Sequence, residues 1–254
     1  MNKNNRKNRR DLKILLMQIR EDETVAAEEL SSFAYHAQLD ESQFDILNVF
    51  ETPCFDESIL TGHDSLWVGG ASEANVLHPE KYPFVDSAKK LLAVCCEIEL
   101  PVFASCFGFQ LVVLALGGEV IDSDGGFEMG TIPISLSPDA KKDILLHDVS
   151  DGFLAVSVHK QKALKIPTNC TLLAMTEVCI HALKVINKPF WAFQFHPEVD
   201  RNILIQRLTV YKKHYTDNDN HLEQVLSQAQ ETPESNGLMK KFVDRVLLDQ
   251  HLIR

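Results

Sequence analysis

The chain has 254 residues, of which 36 are acidic and 25 are basic, so its formal net charge at pH 7 is −11. We therefore expect neither nucleic acid nor an anionic membrane as a partner, because both require a basic face on the protein. The hydrophobic content of 45% and the charged content of 24% exclude a disordered or fibrous chain. The longest apolar runs are also far shorter than the ~20 residues that span a bilayer.

The first ten residues are basic and rich in asparagine, which predicts a disordered leader over residues 1–10. A single domain is expected over residues 11–254, with a helical extension from about residue 216 to residue 254. The apolar stretch after the leader is too short for a secretory signal. The six cysteines show no spacing typical of a disulfide framework, so we expect reduced thiols and a cytoplasmic location.

The first half of the domain alternates strand-like and helical segments. The predicted strands are residues 12–17, 44–50, 65–68 and 102–105. The predicted helices are residues 24–39, 83–97 and 107–116. Strands alternating with helices of this length favour an α/β fold, in which a mostly parallel sheet is flanked by helices.

The second half contains shorter, turn-rich segments that favour an antiparallel edge to the sheet. Its predicted strands are residues 132–134, 154–158, 171–175 and 181–185. A further strand, residues 190–195, is aromatic throughout most of its length, which indicates a buried strand. Helices are predicted over residues 201–215 and from residue 233 or 234 to residue 250, with a polar turn at residues 216–220.

Residues 101–110 contain the sharpest local feature. An apolar strand ends at Cys106, Gly108 follows two residues later, and an apolar helix begins at once. This arrangement is typical of a nucleophile elbow, a strained strand-to-helix turn that holds a side chain clear of the sheet. The N–H groups of the first helical turn favour the reactive thiolate. The alternative is a buried cysteine that only packs in the core.

A histidine and a glutamate follow the aromatic strand. His196 and Glu198 would lie on a loop at the carboxyl edge of the sheet, where sites form in α/β proteins. A thiol nucleophile needs a base to remove its proton, and the base needs a carboxylate to orient it. His196 and Glu198 can supply these two functions. The alternative is an unrelated pair on a solvated loop.

A glycine pair, Gly69 and Gly70, follows the predicted strand 65–68. Backbone N–H groups in such a turn can stabilise an oxyanion, with the N–H of Phe107 as a second donor. A plain tight turn is the alternative, and the absence of a following Gly-Lys-Ser or Gly-Lys-Thr argues against a phosphate loop. Cys95 and Cys96 are adjacent on a helix and cannot chelate one ion, so we expect no metal and no cofactor.

Taken in this order, the segments resemble the class I glutamine amidotransferases, a family with a Cys-His-Glu triad. The similarity runs from Ser65 to Val199 and is strongest over residues 102–118 and 189–199. Residues 127–131 and 156–159 resemble two further landmarks of the family. The most similar branch is that of free-standing proteins similar to the amidotransferase domain of GMP synthase. The resemblance implies a flavodoxin-like α/β fold.

The resemblance also implies a mechanism in which Cys106 attacks the side-chain amide carbon of L-glutamine. His196 takes the thiol proton and passes it to the leaving ammonia, while Glu198 orients His196. The N–H groups of Gly70 and Phe107 hold the oxyanion, and water then hydrolyses the γ-glutamyl thioester to glutamate. By the same resemblance, the groups that bind the substrate are Gln110, Ser157 and His159.

Some positions depart from the family pattern without removing a triad residue. Ala104 and Ala192 stand where the family commonly has glycine, and Ala71 stands where proline often follows the glycine pair. Lys160 and Gln161 replace a frequent Gly-Asp pair. Because residues 160–161 would lie near the substrate pocket, an altered substrate is a reasonable expectation.

Three functions remain open from the sequence. The first is a glutaminase that supplies ammonia to a separate synthetase subunit, since the stretch after Val199 is too short for an ATP-binding synthetase domain. The second is a γ-glutamyl peptidase that acts on γ-glutamyl peptides or conjugates by the same chemistry. The third is a binding or regulatory module in which the triad is silent.

Overall fold

The computed structural model describes residues 7–123, 128–210 and 219–249. The α-helices among these residues are α1 Glu23–Ala37, α2 Phe84–Glu97, α3 Phe107–Ala115, α4 Arg201–Val210, α5 Asp219–Gln228 and α6 Pro233–Phe242. Helix α6 continues into a π-helical segment, Val243–Leu248. The strands are β1 Ile14–Ile19, β2 Phe44–Asn48, β3 Ser65–Ala71, β4 Val102–Ser105, β5 Glu119–Asp122, β6 Glu128–Leu136, β7 Phe153–His159, β8 Gln161–Lys165, β9 Cys170–Met175, β10 Ile180–Val185 and β11 Phe190–Phe193.

Nine of these strands form one sheet in the order β2-β1-β3-β4-β11-β10-β9-β6-β7. The pairs from β2 to β11 are parallel, and the pairs from β11 to β7 are antiparallel. Strands β5 and β8, which the sequence did not predict, pair as a separate antiparallel sheet. The predicted fold class, a mostly parallel sheet with an antiparallel edge, is confirmed.

The parallel strands are buried on both faces, which explains their nearly continuous apolar sequences. Every residue of β1, β4 and β11 is buried. Side chains that alternate along each strand enter two separate cores. In β3, Trp67 faces the core covered by α1 and α6, whereas Leu66 and Val68 face the core covered by α2 and α3.

The first of these cores is organised around Trp67. The ring of Trp67 lies with its centroid 5.5 Å from that of Phe103 and 5.9 Å from that of Phe242, a residue of α6. Phe242 also meets the ring of Trp191 at 6.0 Å. Aromatic contacts across strands β3, β4 and β11 therefore attach the C-terminal helix to the centre of the sheet.

The beginning of the described chain packs against the same face. Residues 1–6 of the predicted leader lie outside the described residues. Arg9 lies in a short 3₁₀ turn, donates a hydrogen bond to the carbonyl oxygen of Ala37 at 2.7 Å and forms an ion pair with Asp244. These contacts join Arg9, a residue of the predicted leader, to the end of α1 and to the π-helical segment.

The C-terminal region differs from the predicted pattern. The predicted helix 201–215 is described only as far as Val210, and residues 211–215 lie outside the described residues, as does Gln250 of the last predicted helix. Helix α5 lies within the predicted helical extension but was not predicted as a separate helix, because its polar surroundings resemble a turn. Its buried residues Leu222 and Val225 nevertheless belong to an apolar cluster with Met129 of β6.

The carboxyl ends of β1, β3, β4 and β11 meet at one edge of the sheet, because these strands are parallel neighbours. This is the edge at which sites form in open α/β sheets. Across the described parts of the chain, none of the helices combines the length and apolar character needed to cross a membrane.

Truncating Phe242 to alanine should destabilise the protein strongly, because the side chain is fully buried among three aromatic rings. We expect a loss of about 3–5 kcal/mol in the free energy of unfolding, measured by urea denaturation. The control is Tyr35→Ala, since Tyr35 is 75% exposed, and it should change stability by less than about 0.5 kcal/mol. Equal effects in the two variants would contradict the packing of α6 on the sheet.

Candidate active site

Cys106 lies at the turn between β4 and α3, as the sequence predicts for a nucleophile elbow. Its backbone has φ = 50° and ψ = −101°, a strained conformation for a residue with a side chain. The N–H of Cys106 donates a hydrogen bond of 2.7 Å to the carbonyl oxygen of Phe193. This bond holds the strained turn against β11.

Gly108 allows α3 to leave the elbow close to the sheet. A Cβ atom at this position would lie 2.8 Å from the carbonyl oxygen of Val68 in β3. Any side chain would therefore push the helix away from the strand and move Cys106 with it. The glycine two residues after the cysteine thus has a steric reason.

His196 and Glu198 follow β11 at the same edge of the sheet. The Nδ1 atom of His196 lies 2.7 Å from Oε1 of Glu198, and both residues are buried. The N–H of His196 also donates to the carbonyl oxygen of Val156 at 2.8 Å. Because Nδ1 of His196 donates its hydrogen bond to Glu198, the Nε2 atom of His196 is left to exchange a proton with the thiol.

Electrostatics favour a charged His196–Glu198 pair. Burial by itself lowers the pKa of His196, but the charges and hydrogen bonds of Cys106 and Glu198 outweigh it and raise this pKa to about 10. Burial likewise raises the pKa of Glu198, but His196 beside it and the charge of Arg207 lower this pKa to about 2. An imidazolium next to Cys106 is the partner that a reactive thiolate requires.

The glycine pair lies inside β3, which continues to Ala71, rather than in a turn after the strand. A Cβ atom at Gly69 would lie 2.7 Å from Oε1 of Glu29, and a Cβ atom at Gly70 would lie 2.8 Å from Cε1 of His196. The missing side chains therefore make room for two buried ionisable groups. Glycine inside a strand commonly marks such a close approach.

Glu29 belongs to a buried ion pair beneath the site. Its Oε1 atom accepts hydrogen bonds from Nε of Arg20 at 3.0 Å and from Nη2 of Arg20 at 2.7 Å. The Nη1 atom of Arg20 donates to Oγ of Ser72 at 3.0 Å. The pair therefore connects helix α1 to the end of β3, next to Gly70.

A cavity of about 220 Å³ opens beside Cys106. The predicted residues Phe107, Gln110 and His159 line it. Ser157 is instead fully buried, and its hydroxyl has no hydrogen-bond partner among the described residues. The structure therefore brings Gln110 and His159 to the cavity but does not bring Ser157 to its wall.

Other residues of this site were not predicted from the sequence. Buried Gln194 lies with Nε2 3.8 Å from Sγ of Cys106 and accepts a hydrogen bond from Nε2 of Gln110 at 3.3 Å. A polar residue inside an otherwise aromatic strand was the signal that could have identified it. The loop after β3 forms another part of the cavity wall, because its residues Glu73, Asn75 and Tyr82 also line the cavity.

The buried cysteines outside the site differ chemically from an activated thiol. Burial raises the pKa of Cys95, on α2, to about 12. All six cysteines lie at described positions, and all six are free.

Replacing His196 by asparagine should remove a pH-dependent part of the stability. The folded-state pKa is raised from 6.5 to about 10, so the folded protein holds an extra proton between these values. The stabilisation that protonated His196 contributes is complete below about pH 6.5 and is lost as the pH rises through about 10. Between these values the free energy of unfolding falls by up to about 1.4 kcal/mol per pH unit. Urea unfolding across this window should show wild type losing stability relative to His196→Asn.

The control for this pH series is His78→Asn, on the exposed surface, which should follow the wild-type curve. A difference between wild type and His196→Asn that stays constant from pH 6.5 to about 10 would contradict the charged pair.

Gly70→Ala should destabilise the protein, because the new methyl group would meet Cε1 of His196 at 2.8 Å and Nη2 of Arg20 at 3.3 Å. We expect a cost of about 1–3 kcal/mol, typical of overpacking in a core. The matched control is Gly237→Ala in α6, where an added Cβ meets nothing within 4 Å; there alanine should stabilise the helix by about 0.4–1 kcal/mol. Thermal or urea unfolding should show a lower stability than wild type for Gly70→Ala and a higher one for Gly237→Ala.

Comparison with known proteins shows the family to which the chain belongs. A family model described as glutamine amidotransferase class-I matches residues 76–208. A subunit of the glutamine-hydrolyzing GMP synthase of Methanocaldococcus jannaschii is 33% identical over 118 residues, which cover 46% of this chain and 61% of that protein. Gamma-glutamyl peptidase 3 of Arabidopsis thaliana is 27% identical over 173 residues, which cover 65% of this chain and 66% of that protein. The chain therefore spans slightly less than two thirds of the length of these relatives.

A crystal structure of a glutamine amidotransferase from Thermotoga maritima has the same fold. It superimposes with a TM-score of 0.75 at 19% sequence identity, covering 93% of this chain and 98% of the other. The family match spans more than half of the chain and includes Cys106, His196 and Glu198. The chain belongs to the class I glutamine amidotransferase family.

Proposed function

We propose that this protein hydrolyses the side-chain amide of L-glutamine to glutamate and ammonia. The observation that carries the proposal is the 2.7 Å hydrogen bond between Nδ1 of His196 and Glu198, on the same sheet edge as the strained Cys106. A thiol, a base and a carboxylate that orients the base are the three parts of nucleophilic amide hydrolysis.

In the proposed reaction, His196 takes the thiol proton of Cys106, and the resulting thiolate then attacks the amide carbon of glutamine. His196 then gives this proton to the leaving nitrogen, which departs as ammonia and leaves a γ-glutamyl thioester. A water molecule, deprotonated by His196, hydrolyses the thioester and restores the thiol. Glu198 keeps the imidazole oriented through both steps and stabilises its positive charge whenever His196 holds the proton.

Backbone N–H groups of Gly70 and Phe107 are the proposed donors to the oxyanion of the tetrahedral intermediate. Phe107 is the first residue of α3, and the first N–H groups of a helix have no partner within it. Gly70 lies beside the ring of His196. Both positions are therefore close to the atoms at which negative charge develops.

The cavity lining offers charged groups for the two ends of the amino acid. Glu73 and Lys160 both line the cavity that contains Cys106. The carboxylate of Glu73 can form an ion pair with the α-ammonium group of the substrate. The ammonium group of Lys160 can form one with its α-carboxylate. Gln194 lies with Nε2 3.8 Å from the thiol, where the amide of the substrate would react, and Gln110 donates a hydrogen bond to Gln194.

We propose that the ammonia passes to a separate synthetase subunit. The support is the similarity to the GMP synthase protein of Methanocaldococcus jannaschii, which its name describes as one subunit of a glutamine-hydrolyzing enzyme.

A γ-glutamyl peptidase activity is the second candidate. The alignment with gamma-glutamyl peptidase 3 extends over 173 residues, compared with 118 for the GMP synthase protein. The same thioester chemistry would release an amino acid or peptide instead of ammonia. Only the leaving group differs, so the two candidates share every catalytic residue.

Cys106→Ala should abolish release of ammonia from glutamine, because no other thiol lies at the elbow. Replacing His196 by alanine should lower the rate by about 10²–10⁴-fold, the usual contribution of a general base. The control is Cys95→Ala, which removes a buried thiol on α2 and should keep the wild-type rate. Glutamate and ammonia release are measured beside amine release from a γ-glutamyl dipeptide.

A diazoketone analogue of glutamine provides a readout that needs no synthetase. Mass spectrometry should find its adduct on Cys106 in wild type and in Cys95→Ala. A higher kcat/KM for the dipeptide would favour the peptidase. Absence of both turnover and adduct would contradict both enzymatic proposals and favour a module with a silent triad.

A further inference from the structure

Four potential metal ligands converge at the antiparallel side of the sheet. Glu128 begins β6, His159 ends β7, Cys179 precedes β10 and His181 lies within β10. One ligand atom from each residue lies within 4.8 Å of every other. Neither the family assignment nor the proposed amide chemistry uses this cluster as a unit.

The distances fit a single small cation. Nε2 of His159 and Nε2 of His181 lie 3.0 Å and 2.7 Å from Oε2 of Glu128. Sγ of Cys179 lies 3.4 Å from Nε2 of His181, 4.0 Å from Nε2 of His159 and 3.7 Å from Oε2 of Glu128. A tetrahedron with Zn–N bonds of about 2.0 Å and a Zn–S bond of about 2.3 Å has edges of about 3.3–3.6 Å. Movements of less than about 1 Å in the side chains would place the four ligand atoms at the corners of such a tetrahedron.

The hydrogen bonds of His159 leave a place for a cation. Its Nδ1 lies 2.8 Å from the carbonyl oxygen of Gln161, a contact that requires an N–H donor. Its other ring nitrogen, Nε2, is turned toward the cluster and lies 3.0 Å from the carboxylate oxygen Oε2 of Glu128. A cation bound at this point would take Nε2 of His159 and Oε2 of Glu128 as two of its ligands. A backbone carbonyl is one of the groups that commonly accept a hydrogen bond from the other ring nitrogen of a metal-bound histidine.

The surroundings orient the remaining ligands. Oγ1 of Thr176 donates a 2.8 Å hydrogen bond to Oε1 of Glu128 and accepts one of 3.3 Å from the N–H of Cys179. The ring of His181 stacks on Phe195 at 6.3 Å. The carboxylate, the thiol and the imidazole are therefore each held in position by neighbouring groups.

The types of ligand atom in this cluster favour zinc over magnesium or calcium. Two imidazoles, one thiolate and one carboxylate suit Zn²⁺, whereas Mg²⁺ and Ca²⁺ take oxygen ligands. The side chains of His159 and His181 are 1% and 0% exposed. Four protein ligands in a closed site are typical of structural zinc rather than of a catalytic metal, which keeps a position open for water.

We propose that Glu128, His159, Cys179 and His181 bind one structural Zn²⁺ ion that joins β6, β7 and β10. Binding displaces the thiol proton of Cys179 to solvent. This proposal stands against the expectation from the sequence that no metal is bound. It also gives His159, predicted to bind substrate, a positioning role, because the residue forms part of the cavity wall next to Val158.

The test is metal analysis of the full chain produced in zinc-supplemented and in cobalt-supplemented medium. We expect one metal equivalent per chain and, with cobalt, the d–d bands of a tetrahedral ion together with a thiolate-to-cobalt charge-transfer band. Cys179→Ser should lose the charge-transfer band. Its matched control is Cys170→Ser, since Cys170 and Cys179 are 7% and 6% exposed and Cys170 lies outside the cluster; it should keep both metal and band.

Thr176→Val tests the orienting hydrogen bond to Glu128. It should weaken zinc binding by about 10–100-fold, as is usual for partners of metal ligands, with the spectrum of the cobalt form unchanged. Competition with a chromophoric chelator measures this shift.

X-ray absorption of the zinc-loaded wild type makes the test independent of whether the variants fold. It should report one sulfur at about 2.3 Å and three nitrogen or oxygen ligands at about 2.0–2.2 Å. Metal-free protein from zinc-rich medium, a coordination shell without sulfur, or a charge-transfer band that persists in Cys179→Ser would each overturn the proposal. None of these readouts depends on hydrolysis of glutamine.

Discussion

The geometry of the site depends on the hydrogen bond that the N–H of Cys106 donates to the carbonyl oxygen of Phe193 at 2.7 Å. This bond extends the parallel pairing of β4 with β11, in which Ser105 lies opposite Phe193. It holds the cysteine in its strained conformation and determines where the chain emerges toward His196. A slip of one residue would turn every side chain of β11 to the opposite face and separate the thiol from its base.

Close packing then allows charged groups to lie together in a dry environment. Gly69 and Gly70 have no side chains where Glu29 and His196 approach β3, so both ionisable groups reach the sheet edge. Buried charges are tolerated only when they are paired. Here Arg20 pairs with Glu29 and the imidazole of His196 pairs with Glu198, so two buried pairs support one edge.

The antiparallel half of the sheet contributes the other wall of the cavity. The carbonyl oxygen of Val158 lies 3.7 Å from Sγ of Cys106, and the next residue, His159, contacts Glu128. Because Val158 contacts the thiol with its backbone carbonyl and His159 contacts Glu128 with its side chain, β7 can serve the thiol and the proposed zinc cluster at once. A metal ion there would stiffen the wall without touching the reacting atoms.

Features that a short segment encodes could be predicted from the amino-acid sequence: the α/β alternation, the elbow at Cys106 and the motif containing His196. Each needs only a few neighbouring residues, whose apolar pattern or turn chemistry is local. The three-dimensional fold was needed to place Gln194 beside the thiol, to bury Ser157 away from the cavity, and to bring Glu128 to a histidine 31 residues away. Those contacts depend on strand order and register, which arise from pairing between distant segments, so no single segment specifies which residues will meet.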